Sequence, residues 1–296
     1  MTSFKSIAVF GATGDLGPFL VNALLESKSF STIRVLTRSE SFKEKPETFN
    51  DLKARGVQVA ALDLSNEDAV VEALQGIDAV VSSISGSVIT NQLVWVKAAA
   101  RAGVKRFIPS EFGINSQKAI GPVFEKKRSV QEEIVKNGLE YTLLFVSLFA
   151  DETLIPLFGF DIKKGTARLV GDSSVPLTLT YRKDIASFIV EILKNPSVSR
   201  NKALQVKSLQ TSFDEIIERF KALGTPLKVS RLTVAEAQEV IDANPGTVES
   251  FYTMLFIKAA QGYMYFDTVD NGLFPNVKPS GLDVAVQEAI ETAKQG

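Results

Sequence analysis

The chain has 296 residues, 45% of them hydrophobic, and a net charge of −1, so it can bury a sizeable core and carries no long basic run for nucleic acid. It contains no cysteine and no histidine. Disulfides, thiolate nucleophiles, zinc sites built on Cys or His, and a Ser-His-Asp triad are thereby excluded, leaving Lys, Tyr, carboxylates, hydroxyls or water for any acid–base step.

Ile7 to Phe10 is a short apolar run suited to a strand buried on both faces. Gly11, Gly14 and Gly17 follow at three-residue spacing, and Phe19, Leu20, Ala23 and Leu24 then recur with helical period. Strand, glycine turn and helix in that order make a phosphate cradle. The glycines let the backbone turn and approach a pyrophosphate, and the helix N-terminus supplies N–H groups and positive dipole. Pro18 suits a first helical turn, where its missing N–H has no partner to lose. Gly11, Thr13, Gly14, Asp15, Leu16 and Gly17 are thus candidate dinucleotide contacts, with a purely structural turn as the alternative. Asp15 is unexpected there: a carboxylate beside a pyrophosphate should cap the helix or face away. The first strand starts too early to leave room for a signal peptide, and no apolar run reaches the roughly 20 residues needed to span a bilayer. A cytoplasmic protein with no membrane contact is expected.

Strands are predicted at Ile33–Thr37, Val57–Leu62, Ile77–Ser83, Val104–Ile108 and Tyr141–Val146. Helices are predicted over Ala69–Leu74, Gln92–Ala102 and Phe124–Lys136, stopped by Gly76, Gly103 and Gly138. Ser65 and Asp68 resemble a capping box for the first of these. Repeated βα units with short connections imply an α/β, Rossmann-type, doubly wound parallel sheet. Ligands of such sheets bind beyond the carboxyl ends of the strands. The residues there are the glycine turn, Arg38, Asp63, Ser83, Ile84, Ser85, Pro109, Ser110 to Phe112, and Ser147 to Phe149.

After about residue 150 the rhythm changes. Short strands are read at Ala167–Val170 and Pro176–Thr180, a helix at Lys183–Leu193, and a segment at Leu204–Lys207 that can return to the sheet. Ser212 with Glu215, and Thr233 with Glu236, form capping-box patterns; Phe251–Ala260 is strongly apolar and Asp283–Ala293 closes the chain. The expected organisation is a nucleotide-binding Rossmann domain over 1–150 and a smaller α-rich substrate lobe over 151–296, with segments around 176–207 returning to the first domain.

Arg38 lies roughly 20 residues beyond the glycine turn, where NAD-binding sheets usually place an acidic residue on the ribose 2′-hydroxyl. A guanidinium there matches a 2′-phosphate, so NADPH (NADP+) is the expected cofactor, with Lys45 adding positive charge. A solvated surface arginine is the alternative. Tyr141, Tyr181, Tyr252, Tyr263 and Tyr265 all lack a lysine four residues on, so the Tyr-x-x-x-Lys pair of many reductases is missing. That also counts against a sugar-nucleotide epimerase. With no histidine available, lysine becomes the leading acid–base candidate.

Val-Lys-Arg-Phe-Ile-Pro-Ser-Glu-Phe-Gly at 104–113 resembles the fingerprint of the NmrA-like, or isoflavone-reductase-like, atypical short-chain dehydrogenases/reductases. The Gly-Ala-Thr-Gly turn, Asp63-Leu64, Gln92 and the Asp184-Ile185-Ala186 helix start extend the resemblance, which fades after about residue 225. It implies a catalytic lysine in a Phe-x-x-Lys pattern on the following helix. Phe124-Glu125-Lys126-Lys127 fits, and the spacing back from residues 138–142 selects Lys127, with Lys126 as its exposed neighbour. Without the resemblance, Lys126-Lys127-Arg128 reads as a solvated helix face. The resemblance also implies that Lys127 contacts the nicotinamide ribose, and that Phe149 packs near the nicotinamide, an ordinary core aromatic being the alternative. The chain departs from plant members at Asp15-Leu16, at Ser147, where asparagine is common, and at Gln131 to Glu133, where an arginine pair is expected.

The expected activity is therefore an NADPH-dependent reductase of secondary metabolism. It would pass hydride to a carbonyl or conjugated double bond of a small aromatic metabolite, with Lys127 as general acid or base and no metal. Phe112, Phe149, Phe160, Phe256 and Tyr263 are the expected substrate contacts, with Phe158 beside them. A monomer or homodimer is expected. The rival reading is a non-catalytic NADP(H)-binding redox sensor of the NmrA type that acts through a protein partner.

Overall fold

The computed structural model describes residues 3–295. It falls into two compact units. The first runs to Phe145 and takes in Ile185–Gln205 and Asp270–Val277; the second comprises Val146–Asp184, Val206–Val269 and the chain from Lys278 onward.

The first unit opens with β1 (Ser6–Phe10), α1 (Gly17–Glu26), β2 (Thr32–Arg38), α2 (Ser39–Glu44), α3 (Pro46–Ala54) and β3 (Gln58–Leu62). It continues with α4 (Glu67–Leu74), β4 (Ala79–Ser82), a 3-10 turn at Gly86–Asn91, α5 (Gln92–Arg101), β5 (Arg106–Ile108), α6 (Pro122–Lys136) and β6 (Glu140–Phe145). With the Lys202–Gln205 strand these make one seven-stranded parallel sheet, in the order Lys202–Gln205, β6, β5, β4, β1, β2, β3. The central strands β1 and β4 are completely covered from Ile7 to Phe10 and from Ala79 to Val81, which is why their sequences are uninterrupted apolar runs. Edge strand β3 is half exposed. On one face Phe10 stacks on Trp95 at 4.1 Å, among Val80, Val96, Phe107, Val130 and Ile134. The chain builds outward from β1 to β3 on one side and from β4 to β6 on the other. The reversal point lies between β1 and β4, the place where doubly wound sheets bind ligands.

The alternation of strand and helix read from the sequence is the observed one, with strand starts shifted by one or two residues in either direction. Helix α4 is a correction. Its capping residue is Asn66, whose side chain accepts from the Ala69 N–H at 3.2 Å. Ser65 does not cap it, because its N–H and hydroxyl both donate to Asp63 Oδ1. Helices α2 and α3 were not anticipated.

The second unit holds two three-stranded sheets. One orders Leu209–Thr211, Leu177–Thr180 and Leu148–Phe149; the other orders Lys228–Leu232, Thr166–Val170 and Phe160–Asp161. Of the 176–207 stretch, Leu177–Thr180 thus pairs within the second unit, while Lys202–Gln205 joins the edge of the large sheet. Ser212 and Thr233 form complete capping boxes with Glu215 and Glu236 for the helices Phe213–Ala222 and Val234–Ala243. The core of this unit is aromatic. Phe158 and Phe256 pack at 4.5 Å, Phe213 and Phe256 at 5.0 Å, and Phe160 contacts both Phe213 and Phe220.

Candidate active site

The glycine turn follows β1 directly. Gly11 has φ +81°, and a Cβ there would lie 2.2 Å from the Ser83 carbonyl oxygen. A Cβ on Gly17 would lie 2.2 Å from the Gly11 carbonyl oxygen. Both glycines are therefore required by backbone packing. Gly14 differs: the nearest atom to its Cβ position is 3.4 Å away, and the residue faces solvent. The turn is closed by the Gly14 N–H on the Gly11 carbonyl at 3.1 Å. Thr13 is half-buried and Asp15 exposed on the same turn, and the position preceding α1 falls on buried Leu16. Leu16 has no side-chain acceptor, so it leaves the first N–H groups of α1 to other partners.

Parallel register brings the remaining candidates of the first unit to the same sheet edge. Arg38 ends β2 opposite Leu62, one residue before Asp63. Its guanidinium is exposed and donates to Ser41 Oγ at 3.0 Å, and no carboxylate pairs with it among the described residues. Lys45 is exposed between α2 and α3. The Asp63 carboxylate accepts from the Ser65 hydroxyl and N–H, which hold it ionised below its ordinary range.

Ser83 follows β4 and is buried. Its N–H and hydroxyl donate to the Phe10 carbonyl, and the hydroxyl also reaches the Gly11 carbonyl at 3.3 Å, so this residue props the glycine turn from beneath. Ser110, after β5, is clamped to the end of β4. Its hydroxyl donates to the Ile84 carbonyl at 2.7 Å and accepts from the Ile84 N–H at 3.1 Å. Buried Gln92 accepts from the Ser110 N–H at 2.9 Å and donates to the Ile89 carbonyl. Pro109 is buried beside it, whereas Ser85 is exposed and bonded to Ser87.

Lys127 lies on α6, whose start is set by Gly121 at φ 135° and ψ 161°, followed by Pro122. The Lys127 side chain keeps 13% exposure. Its Nζ donates to the Glu111 carbonyl at 2.5 Å and lies 3.9 Å from Glu111 Oε2. Burial lowers its pKa below the usual lysine value, and the Glu111 carboxylate partly opposes that. Lys126 is exposed and Phe112 half-buried. The Glu111 carboxylate is itself buried, with Oε1 accepting from Gln131 Nε2 at 2.7 Å. Glu111 is among the residues that the sequence places after β5 but carries no assigned role there; Gln131 lies one helical turn past Lys127, on the same face.

In the second unit Ser147 is buried at φ 58° and donates to the Met264 carbonyl at 2.9 Å. Asparagine suits that left-handed conformation better than most residues. Phe149 is half-buried and pairs with Thr180, and Tyr263 is 49% exposed with Lys258 over its ring. Phe160 and Phe256 are corrections to the substrate list. Phe160 is fully buried, and Phe256 offers little beyond an edge of a pocket of about 10 Å³, room for one water. Their rings are occupied by the aromatic core of the second unit, and so is that of Phe158.

The profile of the NmrA-like family matches residues 3–290. The chain belongs to the NmrA-like family. The match runs well past residue 225, where the recognisable motifs thin out. Isoflavone reductase homolog A622 of Nicotiana tabacum is 28% identical to this NmrA-like chain over 255 residues, 81% of each. Phenylcoumaran benzylic ether reductase IRL1 of Ginkgo biloba is 26% identical, over 96% of this chain and 98% of its own. The solved structure of AtPrR2 with NADP+ and (+)pinoresinol has the same fold, with a TM-score of 0.86 at 24% identity over 98% and 99% of the two chains.

Proposed function

We propose that this NmrA-like chain is an NADPH-dependent reductase that passes hydride to a carbonyl or conjugated double bond of a small aromatic metabolite. The observation that carries the reading is a desolvated lysine, Lys127, held against the loop that leaves β5 at the ligand-binding edge of a dinucleotide-type sheet. The names of the relatives, reductases of plant aromatic metabolites among them, support the reaction class.

The residues present fit the cofactor. Gly11 and Gly17 shape the turn, and Gly14 leaves the outer side of the cradle open where a side chain would stand. Arg38 offers an unpaired guanidinium to a 2′-phosphate, with Lys45 as a second charge. Ile84, Ser85, Pro109 and Ser110 would face the nicotinamide end. The bound cofactor supplies the hydride; the chain supplies position and a proton. Lys127 as the ammonium donates that proton to the substrate oxygen as negative charge develops there. Burial makes the ammonium a stronger acid than an exposed lysine, which suits it to give the proton up. Phe112, half-buried beside Glu111 in the first unit, is an aromatic side chain with exposure to offer a substrate.

Purified protein incubated with aromatic enones and aryl ketones should oxidise NADPH with at least one class, and should prefer NADPH over NADH by about tenfold or more, as the charge-assisted contact of Arg38 implies. Tight NADPH binding with no turnover across the panel would contradict the reductase reading and favour a redox sensor.

A further inference from the structure

We infer that Glu111 is a positioning residue for Lys127: its buried carboxylate, fixed by Gln131, keeps the Lys127 side chain protonated and aimed within an otherwise desolvated pocket. This inference rests on the proposed role of Lys127. Three observations carry it, and none of them depends on the family motif.

The first is the state of the carboxylate. Glu111 is 1% exposed, and its Oε2 is buried with no hydrogen-bond partner among the described residues, while Oε1 accepts from Gln131. A buried carboxylate with one oxygen unsatisfied is costly unless a charge compensates it. The Lys127 Nζ, 3.9 Å from that free oxygen, is the compensating charge.

The second is the clamp. Gln131 Nε2 donates both to Glu111 Oε1 and to Ser116 Oγ at 2.9 Å, while Gln117 Nε2 donates to Gln131 Oε1 at 3.3 Å. One turn earlier Arg128 donates to the Ser116 and Ala119 carbonyls at 2.6 and 3.0 Å. The face of α6 that carries Lys127, Arg128 and Gln131 thus ties down the whole loop from Glu111 to Ala119. Lys127 belongs to the same arrangement through its bond to the Glu111 carbonyl.

The third is the absence of competitors. Besides the Glu111–Ala119 loop, whose other charged side chain, Lys118, is exposed, the elements most extensively packed on α6 are the Gly86–Asn91 turn, α5 and β6. The first has no titratable residue. On α5, Lys97 is exposed and Arg101 pairs with Glu67 and Asp68. On β6, Glu140 is taken by Arg106 and Arg200, and Tyr141 is half-buried. On α6 itself Arg128 is held by carbonyls, Lys126 and Glu125 are exposed, Glu132 is exposed, and Glu133 pairs with Lys136. Glu111 is therefore the charge to which Lys127 responds. Oε2 is the oxygen that faces the ammonium, and Gln131 stops it from rotating away.

The test is a pH titration of Lys127 by NMR in the full-length protein carrying 13Cε-lysine, the resonance being assigned by its loss in Lys127→Arg. In Glu111→Gln, which keeps shape and removes charge, the Lys127 midpoint should fall by about one pH unit, a tenfold weaker hold on the proton. The alkaline limb of the kcat profile should move with it. Gln131→Leu gives a second reading that keeps both charges but frees the Glu111 carboxylate to turn away, and the Lys127 midpoint should fall in the same direction. A Lys127 midpoint unmoved in Glu111→Gln, or in Gln131→Leu, overturns the proposal. Coupling in the titration without any turnover upholds the pair and sinks the reductase reading instead, so the two failures are distinguishable.

Discussion

At the scale of single residues, the three glycines of the opening turn have two different surroundings. Gly11 and Gly17 are fixed by backbone overlap, each with a neighbouring carbonyl oxygen 2.2 Å from where a Cβ would sit. Gly14 has ordinary room on the protein side and faces outward. The variants should separate accordingly. Gly17→Ala should destabilise the fold by roughly 1–3 kcal/mol, the range for overpacking a tight site, measured by urea unfolding. Gly14→Ala should leave the unfolding midpoint near wild type yet weaken NADPH binding by about tenfold, measured by calorimetry, because its methyl would stand on the open side of the turn proposed to take the pyrophosphate. Equal effects of the two on stability would contradict this division. Three-residue glycine spacing is visible in the sequence, but which glycine serves the fold and which the ligand is a matter of what lies opposite each one. The same holds for Glu111: its letters are plain in the fingerprint, while its burial and its free oxygen depend on a loop folding back onto α6.

At the scale of elements, the strands and helices of the first unit were legible because both physical signals are strong there. Strands covered on both faces must be continuous apolar runs, and helices that cover them must repeat with helical period. Capping boxes at Ser212 and Thr233 were legible too, since both partners lie within four residues. The cap of α4 was not, because Ser65, Asn66 and Asp68 all offer oxygens and the choice depends on Asp63 claiming Ser65 first. The paired strands of the second unit, two to five residues long, are too short to show alternation. Arg106 is a further feature hidden in a legible element. It sits in β5, completely buried, and bonds to Glu140 at 2.7 Å, to Thr142, to Ser199 and to the Pro196 carbonyl. It thereby joins β5, β6 and the Pro196–Ser199 turn. Arg106→Ala leaves several buried acceptors without a donor, and a loss of about 3–5 kcal/mol of unfolding free energy is expected by chemical denaturation. A loss under 1 kcal/mol would show the network to be dispensable.

At the scale of the whole molecule, the parallel sheet gathers residues far apart in sequence at one edge: the glycine turn, Arg38, Asp63, Ser83 to Ser85 and Pro109 to Ser110. Strand order makes that convergence predictable from the βα rhythm. The lining of the second unit was less predictable, because an apolar side chain in a mixed lobe reads the same whether it packs the core or faces a ligand; Phe160 and Phe256 proved to be core. The proposed chemistry at the edge converges on Lys127. The most direct measurement is single-turnover oxidation of NADPH, with the best aromatic substrate, by wild type and by Lys127→Ala across pH. In the wild type the rate should be full while Lys127 holds its proton. It should fall as pH rises through a midpoint below the ordinary lysine range, since burial lowers that pKa. Lys127→Ala should bind NADPH normally and turn over at least about a hundredfold more slowly, with the alkaline fall gone. A Lys127→Ala protein with the wild-type rate and an unchanged pH profile would contradict the account.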